Sequence, residues 1–406
     1  MHPAFQKQTS ATPNVQEFKN AFWEEMFDIL GWWSTHMVDD VHGGFYGRMD
    51  GSGHLFPQAD KGIILNTRIL WTYAAAALAT GHSPFHQLAD RAFQYLCDHF
   101  WDDTHGGVFW AVDFFGKPTD NRKQIYAQAF AIFALSEYYF LTKNEEALDK
   151  AKKLFWLIEQ YSRDKVKNGY ISAFSHDWSN MDDIRLSEKD MNEPKIMNTH
   201  LHILEAYMNF YRVMPSAALG KALGNCIMLF LDHFFNPETA SLHIYFNETW
   251  KPIGHERSYG HNIEASWMLM EAAELLGNSD LLKRVGQVSI QLAESVLDEA
   301  VDSDGAIFNE GSKGGITDTD KHWWPQAEAV VGFWNAFEMT GDSEFARASS
   351  KCWDFIREKL ADQKHGEWHW RTDIQGNPIL SEDKAGPWKA PYHNGRMCIE
   401  MLRRLR

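Results

Sequence analysis

The sequence predicts an all-α fold: a single (α/α)6 barrel, a toroid of six helical hairpins with short β-hairpins in its loops. Two observations predict it. A turn motif recurs six times along the 406 residues, and two long apolar segments of helical period fall in every interval between copies. Self-similarity at a fixed period marks repeated supersecondary units. Six units without a polar capping repeat favour a closed ring over an open solenoid. One domain over residues 1–406 is expected, with 1–15 as a flexible tail.

The motif begins as Asp39-Asp40-Val41-His42-Gly43-Gly44-Phe45-Tyr46 and ends near Asp50-Gly51. It returns as Asp102-Asp103-Thr104-His105-Gly106-Gly107-Val108-Phe109, ending at Asp113 to Gly116. Asn168-Gly169-Tyr170 is a shorter copy, and Asn236 to Trp250 is a degenerate one. Asp302-Ser303-Asp304-Gly305-Ala306-Ile307-Phe308 and Lys364-His365-Gly366-Glu367-Trp368-His369-Trp370 complete the set. The copies centre near 42, 105, 168, 241, 304 and 365. Each pairs Asp/Asn/Gly turn chemistry with alternating aromatics, the pattern of a short β-hairpin.

Between the copies the helical period predicts twelve helices. They run from Phe18 to Met37, Lys61 to Thr80, His86 to Phe100, Gln124 to Leu141, Glu145 to Tyr161 and Ile196 to Val213. The rest run from Ala217 to Phe235, His261 to Leu276, Asp280 to Leu297, Pro325 to Met339, Ser343 to Leu360 and His393 to Leu405. Ala74 to Ala77 strongly favour helix. Long helices apolar on much of their circumference suit two concentric layers.

Composition narrows the function classes. The net charge of -16 should repel phosphate backbones, so nucleic acid is not an expected partner. The 17 Trp can pack a core or offer flat apolar platforms to sugar faces. Cys97, Cys226, Cys352 and Cys398 are far apart, with no C-x-x-C spacing, and suit free thiols in a reducing cytoplasm. Residues 1–14 lack a signal-peptide pattern, and no stretch reads as a membrane helix of ~18 apolar residues. A cytoplasmic monomer without a membrane partner is expected.

The helices that follow the hairpins can be aligned by their C-terminal ends. An amide then recurs near each start: Asn66, Gln128, Asn198, Asn262, Gln326 and Asn394. Two residues on come Arg68, Phe130, His200, Glu264, Glu328 and Arg396, and His261 and His393 directly precede an amide. Each residue alone reads as an ordinary helix cap. Together they predict a polar site where six helix N-termini converge, because apolar helices rarely gather ionisable groups without use. Asn198 and His202 share a helical face, as do His261 and Glu264, whereas His200 and His202 point apart. No His-Glu-x-x-His pattern occurs, and neither a metal nor a cofactor is expected.

At these residues the chain resembles the cellobiose 2-epimerase family. The resemblance rests on Met197-Asn198-Thr199-His200-Leu201-His202-Ile203-Leu204-Glu205-Ala206-Tyr207, Gly260-His261-Asn262-Ile263-Glu264 and Trp323-Trp324-Pro325-Gln326-Ala327-Glu328. Pro387-Trp388-Lys389-Ala390-Pro391-Tyr392-His393-Asn394-Gly395-Arg396 and Arg68 match as well, and the likeness runs from about residue 15 to the end. The wider superfamily holds N-acylglucosamine 2-epimerases and aldose–ketose isomerases; Lys189-Asp190-Met191-Asn192 tilts the reading to the disaccharide branch.

The resemblance implies epimerisation at C2 of the reducing sugar of β-1,4 disaccharides such as cellobiose and lactose. It implies that His261 and His393 are the acid/base pair. His202, Asn198 and Arg68 would hold the oxygens at C1 and C2, and Glu264 would orient a neighbouring histidine. Trp324 and Trp388 would stack on sugar rings, and Asp190 would contact the substrate. Two histidines suit the chemistry, because an imidazole can be base and then acid near neutrality. An aldose–ketose isomerase, a glycoside hydrolase using Glu264 and Glu328, and a non-catalytic sugar-binding toroid are the competing readings.

Overall fold

Twelve helices alternate between an inner and an outer ring in the structure, a computed structural model that describes residues 15–405. The expected tail lies outside the described residues, except that Val15 already opens the first helix. The helices are α1 (Val15–His36), α2 (Ile63–Thr80), α3 (Ser83–Tyr95), α4 (Ile125–Thr142), α5 (Glu145–Leu157) and α6 (Met197–Val213). Then come α7 (Ala217–Leu229), α8 (Tyr259–Leu276), α9 (Ser279–Ala300), α10 (Trp323–Thr340), α11 (Ser343–Phe355) and α12 (Tyr392–Arg404).

The even-numbered helices form the inner ring. Each packs on the next, and α12 packs on α2, which closes the circle. These helices are buried on nearly every side: Ile63 to Ala77 of α2 are all buried. The odd-numbered helices carry a single apolar stripe, as in Phe85, Ala89, Ala92 and Phe93 of α3, and lay it against the inner ring. α1 packs on α12, so the two ends of the described chain make the sixth hairpin. The fold is the expected (α/α)6 barrel.

Local chemistry sets the boundaries. Asn144, Ser216, Ser258, Asn278 and Asp342 cap helix starts with their side chains. Left-handed residues Gly81, Lys143, Gly277 and Gly341 end α2, α4, α8 and α10, each 18 residues long. α6 has 17 residues and no left-handed cap. Four outer helices finish in a wider π turn, at Leu96–Phe100, Ile158–Ser162, Phe230–Phe234 and Ile356–Leu360. The sequence expectation ran those helices through the turn.

The repeated motifs are the hairpins predicted for them. Val38 bridges Phe45, Trp101 bridges Val108, Arg163 bridges Tyr170, Val301 bridges Ile307 and Ala361 bridges Trp368. Phe235–Asn236 pairs with Ser241–Leu242 in the degenerate copy. Short strands just before the inner helices pair with the loop of the next repeat: 61–62 with 111–112, 123–124 with 173–174, 195–196 with 245–246, and 321–322 with 371–372. Neighbouring repeats are therefore stitched together around one end of the barrel.

A buried ion pair locks five of the six units. Lys61 meets Asp39 at 2.7 Å, Lys123 meets Asp102 at 2.6 Å and Lys195 meets Asp164 at 3.0 Å. Lys321 meets Asp302 at 2.7 Å, and Lys384 meets Asp362 at 2.5 Å. In four pairs the lysine stands two residues before an inner helix, Lys384 lies in the longer loop before α12, and in every pair the aspartate opens a hairpin turn. Asp39 also accepts the turn N–H groups of Val41 and His42. Burial alone would raise these carboxyls; the lysine and the turn N–H groups outweigh it and hold them below the usual range. In the degenerate fourth unit Asn236 stands at the aspartate position, and Arg257 turns to Glu299 at 2.6 Å.

The recurrent amides serve the same stitching. Gln128 accepts from Val108 N–H and donates to Val108 C=O, and Gln326 treats Ile307 alike. Asn262 accepts from Leu242 N–H. In α6 the equivalent residue is His200, whose Nε2 accepts from Tyr170 N–H. The expectation that the recurrent amides make the site is corrected for Gln128, Asn262 and Gln326, which face the hairpins. So is the alignment, since matching C-terminal ends slips the shorter, differently capped α6 by two residues. Counted from helix starts, His202 takes the place in the ring given to His200.

One helix exceeds the expectation about membrane length. Ile63–Thr80 is long and apolar enough to cross a membrane, but 83% of it is buried inside the barrel.

α1 is docked by tryptophans. Trp32 Nε1 donates to His365 C=O, Trp33 Nε1 to Glu367, and Trp368 Nε1 to Glu25 at 2.6 Å. Burial, with Glu367 and Asp28 nearby, pushes the Glu25 carboxyl up to about 7. A carboxyl raised on folding stabilises in full below its unfolded pKa, and that contribution is lost as pH rises through 7. Glu25→Gln is therefore expected to stabilise the fold by roughly 1–3 kcal/mol at pH 8 and to change little at pH 5. Urea unfolding at the two pH values checks this; equal effects at both would contradict it.

Candidate active site

At the stitched end of the barrel lies a cavity of about 500 Å³. Arg68, Asn198, His202, His261, Glu264, Trp324, Trp388 and His393, all proposed from sequence, line it. So does Asp190, from the loop before α6. The inner helices place them: Arg68 sits on α2, Asn198 and His202 on α6, His261 and Glu264 on α8, Trp324 on α10 and His393 on α12. Trp388 enters from the loop just before α12.

Below the cavity floor, Arg396 binds three buried carboxylates. Its guanidinium donates to Glu205, to Glu264 at 2.6 Å and to Glu328 at 2.6 Å. The Tyr392 hydroxyl also donates to Glu205. Burial raises Glu264 to about 8, and the neighbouring Glu328 adds to the rise. Burial would raise Glu205 too, but Arg396 and the His202 bond outweigh it and hold that carboxyl low. Ligand atoms of Glu264, Glu328 and His393 lie within 4.8 Å of one another, close enough to hold one metal ion. Arg396 already bridges both of those carboxylates, so the positive charge they face is its guanidinium.

Each of the three site histidines is fixed through Nδ1. His202 meets Glu205 at 2.9 Å, His261 meets Ser258 Oγ at 2.7 Å and His393 meets Glu328 at 2.7 Å. That leaves Nε2 of each as the ring nitrogen free for a ligand. Burial lowers all three: His261 to about 3, His202 below the ordinary range and His393 well below it, with Arg68 and Arg396 also acting against a charged His393. The three rings are accordingly neutral bases at neutral pH.

Aromatic rings shape the walls. The Trp324 ring touches both His261, at 4.7 Å between centroids, and His393, at 5.6 Å, so the two imidazoles share one neighbour. Trp388 packs on Trp110 and Tyr126. Arg68 donates to Trp388 C=O at 2.6 Å and to the Tyr126 hydroxyl at 2.9 Å, and lies over the Phe130 and Tyr392 rings. Arg68 Nε, Asn198 Oδ1 and Glu264 Oε2 are buried without a partner among the described residues, which is the condition of groups awaiting a polar ligand.

One sequence expectation changes, and Asp190 gains a structural role beside its place in the cavity. Glu264 orients no histidine: it holds Arg396, while Glu205 and Glu328 orient His202 and His393. Asp190 has both oxygens engaged, one by the Tyr245 hydroxyl and one by Ser187, and so fastens its own loop over the cavity. Glu205, Tyr126 and Ser258 were not singled out from sequence. The spacing that pairs His261 with Glu264 also separates His202 from Glu205, and that signal could have found it.

The profile described as N-acylglucosamine 2-epimerase (GlcNAc 2-epimerase) matches residues 44–395. A cellobiose 2-epimerase of Bacteroides fragilis is 47% identical over 374 residues, 92% of this chain and 95% of the relative. The solved cellobiose 2-epimerase from Bacillus thermoamylovorans B4167 superposes with a TM-score of 0.92 at 39% identity, covering 96% of this chain and 100% of that one. A solved D-mannose isomerase shares the fold with a TM-score of 0.81 at 19% identity, covering 97% of this chain and 100% of its own.

Proposed function

The chain belongs to the N-acylglucosamine 2-epimerase family and is an isomerase of the cellobiose 2-epimerase kind, and from that premise we propose that it inverts C2 of the reducing sugar of β-1,4 disaccharides. Cellobiose would become 4-O-β-glucosyl-mannose, and lactose would become epilactose. The observation that carries the reading is the pair of histidines, His261 and His393, that line one cavity and both contact the Trp324 ring.

Ring opening exposes an aldehyde at C1 and makes the C2 proton removable. His261 or His393 takes that proton on Nε2, and the C2–H electron pair forms a cis-enediolate. Arg68, with the Asn198 amide, donates to the negative oxygen, and His202 Nε2 accepts from a substrate hydroxyl beside it. The proton then returns to the opposite face of C2, from the second histidine or after the intermediate turns about its bond. Glu328 accepts from His393 Nδ1 and so favours the tautomer with a basic Nε2, while Ser258 fixes the orientation of the His261 ring. Trp324 and Trp388 offer apolar faces to the sugar rings.

The hydrolase reading fits less well. Glycoside cleavage sets one carboxylic acid and one carboxylate on opposite sides of the scissile bond. Glu264 and Glu328 instead share a single guanidinium. The free thiols support placement in the cytoplasm, and we take the chain as a monomer. Incubation with cellobiose and chromatographic analysis tests the function: 4-O-glucosyl-mannose is expected, and free glucose or a ketose as the main product would overturn it.

A further inference from the structure

The cavity has two chemically different parts. The floor holds Arg68, His202, His261, Glu264 and His393. The outer part is lined by Lys189 from the loop before α6, by Asn309 just before and Glu310 at the start of the strand after α9, and by His322 and Trp370. His322 sits directly before α10. The charges that act on it are those of Asp318, Arg371 and Lys189, and none belongs to the floor. It pairs with Arg371 across the short strands 321–322 and 371–372 and is not among the groups placed on the reacting carbon.

Its state is unusual for a structural histidine. The side chain is 16% exposed, yet Nε2 is buried and lacks a hydrogen-bond partner among the described residues. Asp318 is 3.9 Å from that nitrogen, beyond hydrogen-bond reach, and is instead held by Asn309 at 2.8 Å. A buried polar atom left unpaired costs stability, so one facing a ligand cavity calls for a ligand atom. Burial keeps the ring neutral, so Nε2 can either donate to or accept from a hydroxyl.

We propose that His322 is a specificity-determining residue: its Nε2 hydrogen-bonds a hydroxyl of the non-reducing sugar. The inference rests on the disaccharide reading above. The room in the cavity exceeds one hexose ring, and the floor groups account for the reducing one. The second ring then falls against Trp370, Asn309 and His322. A site built to bond a hydroxyl discriminates strongly against an analogue that lacks it.

The test uses the whole enzyme, cellobiose and monodeoxy cellobioses modified on the non-reducing ring. In the unaltered protein one deoxy analogue should lose about tenfold or more in kcat/KM. In His322→Phe, KM for cellobiose should rise by a similar factor with kcat little changed, and that analogue should lose nothing further. His322→Gln, which keeps a polar end, should recover part of the affinity. An unchanged KM, or losses from variant and analogue that simply multiply, would overturn the assignment. Calorimetric binding of the same sugars gives the same readout without turnover. Binding without epimerisation would sink the proposed function and leave the His322 test intact.

Discussion

His393→Asn is expected to lower kcat for C2 epimerisation by about 10²–10⁴-fold while the fold survives. The asparagine amide can still donate to Glu328, so the buried carboxylate keeps a partner. What disappears is the basic Nε2 on one side of C2. The structure places that nitrogen's ring against Trp324, which also touches His261. Steady-state kinetics beside circular dichroism separates loss of chemistry from loss of structure. Near-normal turnover would remove His393 from the proton path.

The second large effect concerns stability. Arg396→Met is expected to destabilise the protein by roughly 3–5 kcal/mol, because Glu205, Glu264 and Glu328 would be left buried around a missing cation. The sign with pH follows. Without the guanidinium the carboxyls should bind protons at higher pH, so the deficit should shrink as pH falls and they become neutral. Urea unfolding at pH 5 and pH 8 checks both parts. A loss of the same size at both would mean the three carboxylates do not depend on Arg396.

The ring architecture was legible because each unit carries the same turn chemistry at nearly the same interval. The hairpins at 38–45, 101–108 and 361–368 need no tertiary information beyond their own Gly and Asp spacing. Finer register was not legible. α6 lacks the left-handed cap that ends α2, α4, α8 and α10, so matching helix ends misplaces His200 and His202. The stitching role of Gln128 and Gln326 was hidden because a polar residue in a first turn looks the same whether it faces a ligand or a hairpin backbone.

The buried Lys–Asp pairs were also missed, although Lys61, Lys123, Lys195 and Lys321 each stand two residues before an inner helix. A lysine there reads as solvated until its depth is known. Within the site, the residues gathered by motif share one cavity, but their partners could not be read. Glu264 and Glu328 stand at equivalent positions on neighbouring helices, and only the packing shows that Glu328 takes the histidine while Glu264 takes the arginine alone.

The most direct test of the account is incubation of the enzyme with cellobiose in deuterated water, followed by NMR of the sugars. Two neutral imidazoles exchanging a C2 proton should yield 4-O-glucosyl-mannose with deuterium at C2 of the reducing ring, and His393→Asn should slow the appearance of both product and label by the same large factor. Epimerised product that retains its original C2 hydrogen in full would contradict proton exchange at that carbon.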